Sequence, residues 1–288
     1  MLNILVTGSK GQVGSELEVL SFDYTYNFFF TDKDELDISN KKNLSEFIEK
    51  NSINTIINCA AYTAVDKAES EPKLAAKINN EAVQYLAEIS KERSMKFVHI
   101  STDYVFNGEG FTPYKETDIT NPNSVYGQTK LDGEKALKEV NPKNSIIIRT
   151  SWVYSSFGAN FVKTMLRLGK ERETLAVIYD QVGTPTYARD LAKTILDILP
   201  QIKNEGVEVY HYTNEGVLSW YDFSKEIMRM AKINCKINPI ETKEYPTPAL
   251  RPHYSLLNKA KIKEKFQIEI PFWKDSLAEC LKVMQEKR

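Results

Sequence analysis

The sequence predicts an α/β protein, a doubly wound parallel sheet with a smaller interleaved α/β domain. Three observations carry this. The chain opens on an apolar run that passes directly into a glycine-spaced turn. Short apolar runs then alternate with helical stretches of more than about ten residues, the pattern of βαβ units. Beyond about residue 150 that alternation loosens, so residues 1–150 read as the sheet domain. Residues 151–288 read mainly as the smaller domain, with later segments returning to the sheet.

The first strand is residues 2–6, Leu-Asn-Ile-Leu-Val, and a helix starts near Gln12. Between them Gly8, Gly11 and Gly14 are spaced Gly-x-x-Gly-x-x-Gly rather than Gly-x-Gly-x-x-Gly. Glycines so placed let a pyrophosphate approach backbone N–H groups at a helix N-terminus, where the dipole favours anions. A second strand, residues 26–31, ends in Asp32-Lys33. An acidic residue about 20 positions past the glycines suits a ribose 2′-hydroxyl, whereas Lys33 suits a 2′-phosphate. Asp37-Ile38-Ser39 leads into a helix, with Ser39 as the expected cap. The third strand, residues 55–61, ends in small Cys59-Ala60-Ala61, which admit close approach to the backbone. Pro72 opens a long helix to about Glu92, and strands follow at residues 96–100 and 145–149. Ligand sites in such sheets lie at the strand C-termini. The glycine turn, Asp32, Ala60-Ala61, Ser101-Thr102-Asp103 and Thr150-Ser151-Trp152 all fall there. In the second half, residues 160–171, 188–199 and 219–231 read as helices, and 175–178 and 209–212 as strands. Three prolines within residues 245–252 dictate irregular backbone.

Charge is nearly balanced, 38 Lys+Arg against 39 Asp+Glu, net −1. Nucleic-acid affinity rests on excess Lys/Arg, so a nucleic-acid partner is not expected. No apolar run approaches the roughly 20 residues of a membrane span, and the N-terminus lacks signal-peptide organisation. Cys59, Cys235 and Cys280 are isolated and odd in number, matching no metal or disulfide pattern. A reducing cytoplasm is the expected compartment. His99, His211 and His253 are scattered and read as core or edge residues.

Tyr126-Gly127-Gln128-Thr129-Lys130 sits in a predicted helix from Ser124 to about Val140. Residues i and i+4 share a helix face, so phenol and ammonium lie side by side. A neighbouring cation should lower a phenol pKa that is ordinarily near 10. The pair would then serve as a general acid–base toward a carbonyl or alcohol. Alone, such a spacing arises readily in a chain with 15 tyrosines; its weight comes from the sheet around it.

With these pieces assembled, the chain resembles the extended short-chain dehydrogenase/reductases, whose sheet is of Rossmann type. Within them it resembles the dTDP-4-dehydrorhamnose reductase family over nearly its whole length. The glycine motif and Tyr126-x-x-x-Lys130 are shared across the superfamily. Ser101-Thr102-Asp103-Tyr104-Val105-Phe106, Arg149-Thr150-Ser151-Trp152 and Tyr245-Pro246-Thr247-Pro248 are more specific to the reductases. The resemblance implies reduction of the C4 keto group of a dTDP-sugar by NADPH or NADH, for rhamnose-containing polysaccharide. Tyr126 would be the proton donor, Lys130 would tune it and hold the nicotinamide ribose, and Thr102 would bind the reacting oxygen. Gly8, Gly11, Gln12, Val13, Gly14, Asp32, Asp37, Ile38, Ala60, Ala61, Tyr62, Thr63 and Ile100 would line the dinucleotide. Thr102, Asp103, Trp152, Asn160, Gln181 and Arg251 would meet the nucleotide sugar. Some members hold magnesium at a dimer interface through glutamates. At the matching place this chain has Tyr187-Ala188-Arg189-Asp190, an arginine beside an aspartate, so no metal ligands are assigned and a homodimer stays open. Rival readings are a nucleotide-sugar epimerase or another 4-keto-sugar reductase. A third is a non-catalytic subunit resembling the regulator of methionine adenosyltransferase.

Overall fold

The computed structural model describes residues 1–286. Its main sheet contains, in chain order, β1 (Asn3–Thr7), β2 (Asn27–Thr31), β3 (Thr55–Asn58), β4 (Lys96–Thr102), β5 (Ser145–Thr150) and β6 (Val207–His211). All neighbours pair in parallel, in the spatial order β6-β5-β4-β3-β1-β2. The chain moves outward from β1 to β2, then returns to β3 on the other side of β1. That reversal opens a crevice above the C-terminal ends of β1 and β3, where sheets of this kind bind ligands.

The strands are apolar on both faces because helices cover both. The pleat sends Ile4, Val6, Val98, Ile146 and Ile148 into a core shared with helices Gln12–Leu20 and Ala188–Ile198. It sends Leu5, Phe97 and Ile147 into a second core under helices Lys41–Lys50, Ala82–Glu92 and Val125–Val140. A third core lies outside the sheet. There helices Phe161–Glu171, Trp220–Ala231 and Trp273–Glu286 enclose a parallel pair, Thr174–Ile178 with Lys236–Ile240. Ala188–Ile198 and β6 come from the second half yet belong to the sheet, so the chain crosses between the two bodies more than once.

Several local expectations change in detail. The N-cap of Lys41–Lys50 is Asn40, whose side chain accepts from Asn43 N, while Ser39 is held by Asp37. The helix expected from Pro72 runs as Pro72–Ala76, a π turn Lys77–Glu81, and Ala82–Glu92. The loop before Ala188 contains two-residue strands, Val182–Gly183 and Thr186–Tyr187. Ser219 caps Trp220–Ala231, through a reciprocal pair with Asp222.

Candidate active site

A cleft of about 690 Å³ runs along the crevice, and the glycine turn floors one end of it. Gly8 adopts φ +66°, and a Cβ there would stand 2.6 Å from Ala60 N, on the neighbouring strand end. A Cβ on Gly14 would meet the Gly8 carbonyl at 2.4 Å. Only glycine lets the turn, the helix start and the β3 end pack this closely. Asp32, at the end of β2, accepts from Lys10 N at 3.1 Å and Lys33 N at 2.8 Å. It therefore fixes the turn as well as facing the cleft. Gly8, Gly11, Gln12, Val13, Gly14, Asp32, Lys33, Asp37, Ile38, Ala60, Ala61, Thr63 and Ile100 all line it. Tyr62 does not. Its hydroxyl turns away to Glu71 at 2.7 Å, and only its backbone supports the wall, through Asn79.

The far end holds Thr102, Asp103, Tyr126, Lys130 and Trp152. Ser124 caps the Val125–Val140 helix by accepting from Gly127 N at 3.1 Å. A Cβ on Gly127 would lie 2.3 Å from the Tyr104 carbonyl, so the helix start is pressed onto the end of β4. A π turn in the facing helix places Asn79, fully buried, against the same helix. Its amide donates to Thr129 Oγ1 at 3.1 Å and joins Tyr62 backbone at both N and O. Such turns concentrate at functional sites. Nothing in the residue spacing of 72–92 revealed this one.

Tyr126 and Lys130 share a helix face and are both buried, but their electrostatics differ from the simple expectation. Burial pushes the Tyr126 phenol up to about 12, partly offset by a hydrogen bond with Thr102 and reinforced by the nearby Asp103 charge. Lys130 does not pull it down, because its ammonium end is turned to the Ile100 carbonyl at 2.7 Å and to His99 Nε2 at 3.5 Å. Burial also pushes Lys130 down to about 8, against the attraction of Glu134. Asp103 is raised to about 7 by burial, although the Thr102 hydroxyl bonds it at 3.0 Å. The phenol therefore carries its proton at neutral pH, while the raised value makes it a weaker acid than free tyrosine.

Trp152 has φ +50° and stacks on Trp220, centroids 3.6 Å apart at 14°. The other three residues expected at the sugar do not line the cleft. Asn160 caps the Phe161–Glu171 helix, its amide spent on Gln12 Oε1 and Ser155 O. Gln181 is buried and donates to Thr242 Oγ1 at 3.2 Å. Arg251 forms a forked pair with Asp66, at 3.0 and 2.8 Å. Beneath the site, Arg149 and Glu134 make an enclosed bidentate pair, joined by Ser101 at 2.6 Å. Arg189 lies between Glu16 at 3.0 Å and Glu279 at 3.6 Å.

The cleft therefore combines a built anion turn with a buried Tyr–Thr–Lys group on one continuous floor. The chain matches the family model described as RmlD substrate binding domain over residues 2–286. It is 44% identical over 287 residues to the dTDP-4-dehydrorhamnose reductase of Aggregatibacter actinomycetemcomitans, covering 96% of this chain and 97% of that one. The crystal structure of a dTDP-4-dehydrorhamnose reductase from Clostridium acetobutylicum superimposes with TM-score 0.94 at 42% identity, covering 99% and 100% of the two chains. The Bacillus anthracis enzyme, solved in complex with NADP, gives TM-score 0.93 at 36% identity, covering 98% and 100%. With its fold, its floor of glycines and its full length all matched, this chain belongs to the dTDP-4-dehydrorhamnose reductase family.

Proposed function

We propose that this protein reduces the C4 keto group of dTDP-4-dehydrorhamnose to give dTDP-L-rhamnose, using NADPH or NADH. One observation carries the reading: a glycine turn that only a missing Cβ permits and a buried Tyr126–Thr102–Lys130 group occupy one cleft. The turn fits a dinucleotide, since the start of the Gln12–Leu20 helix carries no side-chain cap and leaves its first N–H groups to a pyrophosphate. Gly8, Gly11, Gln12, Val13 and Gly14 would hold the pyrophosphate, and Asp32 or Lys33 the adenosine ribose. The bound cofactor supplies the hydride.

The chain supplies the rest. Tyr126 stays protonated at neutral pH and gives its proton to the carbonyl oxygen as negative charge develops there. The Thr102 hydroxyl, at the tip of β4, becomes the second donor to that oxygen once it turns from Asp103. Lys130, buried on the same helix face as Tyr126 and lining the cleft, would hold the nicotinamide ribose. Trp152, backed by Trp220, offers a flat face for the sugar. Asp32 and Lys33 act oppositely on a 2′-phosphate, so both cofactors should turn over. Three free cysteines suit a reducing cytoplasm.

Incubation with dTDP-4-dehydrorhamnose and NADPH or NADH should consume reduced-nicotinamide absorbance and yield dTDP-L-rhamnose in equal amount. Absence of both, with the cofactor bound, would sink the proposal. A tightly held oxidised cofactor with no net reduction would instead favour the epimerase reading.

A further inference from the structure

We propose that His99 is a positioning residue for the reaction, locked by Thr7 and Asn58 into the tautomer that aims Nε2–H at the Lys130 amine. The proposal rests on the reductase reading above for its consequence in turnover, but its structural content is independent of the substrate.

The lock follows from hydrogen-bond accounting. Asn58, at the end of β3, accepts at Oδ1 from Thr7 Oγ1 at 2.6 Å and from Ala60 N at 3.2 Å. A backbone N–H can only donate, so the amide oxygen must face it. The Asn58 Nδ2 group consequently faces His99 Nδ1 at 3.0 Å, and only an unprotonated ring nitrogen accepts there. His99 is completely buried, and that burial, with the Lys130 charge nearby, holds its pKa well below the ordinary value. The ring is thus neutral with its proton on Nε2. That N–H faces Lys130 Nζ at 3.5 Å, the outer limit of a hydrogen bond.

An ammonium has three donors and no acceptor, whereas a neutral amine keeps a lone pair. Lys130 donates to the Ile100 carbonyl at 2.7 Å; toward His99 it meets a donor. Hydrogen bonding that suits only the neutral form disfavours the charged one. The other groups acting on Lys130 are Cys59 beyond β3, whose thiol is held protonated by burial, and Glu134 on its own helix. Glu134 is engaged by Arg149 and Ser101 and pulls the opposite way. His99 thus adds to burial, the larger influence, in disfavouring the Lys130 ammonium. It does so one helical turn from Tyr126, on the same helix face.

Two measurements on the intact protein test this. The ring nitrogen shifts of His99, one of three histidines, should report the neutral Nε2–H tautomer. The Nδ1–H form would overturn the proposal without any mutation. The second is NMR titration of isotope-labelled lysine, with Lys130 assigned by the signal lost in Lys130→Arg. Lys130 should titrate well below the ordinary value near 10.4. In His99→Asn the side-chain oxygen can still accept from Asn58 while the Nε2–H is gone, so the midpoint should rise by about one pH unit or more. The alkaline limb of kcat/KM should move the same way. A wild-type midpoint in the ordinary range, or one unmoved in His99→Asn, refutes the role. If dTDP-4-dehydrorhamnose is not reduced but the tautomer and titration behave as stated, the functional reading fails and the positioning of Lys130 stands.

Discussion

Replacing Tyr126 by Phe tests the acid directly. The ring sits edge-on to Tyr104, centroids 5.4 Å apart at 77°, and packs with Ala68 and Ala75. Phenylalanine keeps those contacts. What disappears is one hydroxyl and its hydrogen bond with Thr102, whose net stability contribution is about 1 kcal/mol. Folding and cofactor binding should therefore change little. Turnover should fall by about 10²–10⁴-fold, the contribution typical of a positioned general acid, with kcat and kcat/KM falling together because the lost interaction forms only in the transition state. Steady-state kinetics with NADPH and the dTDP-sugar, alongside NADPH titration and a urea melt, separate the effects. A Phe variant that keeps near wild-type kcat means that Tyr126 is not the acid. A kinetic loss matched by an equal loss of NADPH affinity means that the cleft itself has collapsed.

Other perturbations give distinct readouts. Asp32→Ala removes both a 2′-phosphate repulsion and the brace on Lys10 N, so kcat/KM with NADH should fall relative to that with NADPH; an unchanged ratio shows that Asp32 does not reach the ribose. Arg251→Ala should raise KM for the nucleotide sugar by roughly tenfold to a hundredfold if Arg251 exchanges Asp66 for the diphosphate, with NADPH Kd unmoved. Parallel weakening of both ligands would mark the Asp66 pair as scaffold only. Arg149→Leu leaves the buried Glu134 with only the Ser101 hydroxyl and the more distant Lys138 ammonium, and should cost about 3–5 kcal/mol in a denaturant titration; a cost under about 1 kcal/mol would show that these two partners and water suffice. Asp103 has a folded pKa raised to about 7 from 3.8, so its neutral form stabilises the fold at low pH. That contribution is lost as pH rises from about 4 to about 7, on the order of 4 kcal/mol at most. The stability difference between wild type and Asp103→Asn should track this window, and a pH-independent difference would contradict it.

The sequence by itself determined the sheet, its parallel order of βαβ units and one edge of chemistry. Strand runs such as Ile4-Leu5-Val6 are apolar without interruption, which only a two-sided burial requires. Gly8, Gly11 and Gly14 announce a backbone that must approach something closely, and the Tyr126–Lys130 spacing fixes a shared helix face whatever surrounds it. Capping was partly legible: Ser219 with Asp222 is a local reciprocal pair, whereas the choice of Asn40 over Ser39 was decided when Asp37 captured the serine. Tertiary structure decided the rest. It buried Tyr126, so desolvation rather than the lysine sets its proton affinity. It sent Asn160, Gln181 and Arg251 to internal partners, which no sequence spacing of about 60 to 190 residues between those partners discloses. It also brought Thr7, Asn58, His99 and Lys130 from four separate segments into one chain of hydrogen bonds. Each of these residues looks ordinary where it stands in sequence. Their significance comes from a sheet that sets strand ends side by side, and from a buried site where every donor must find an acceptor.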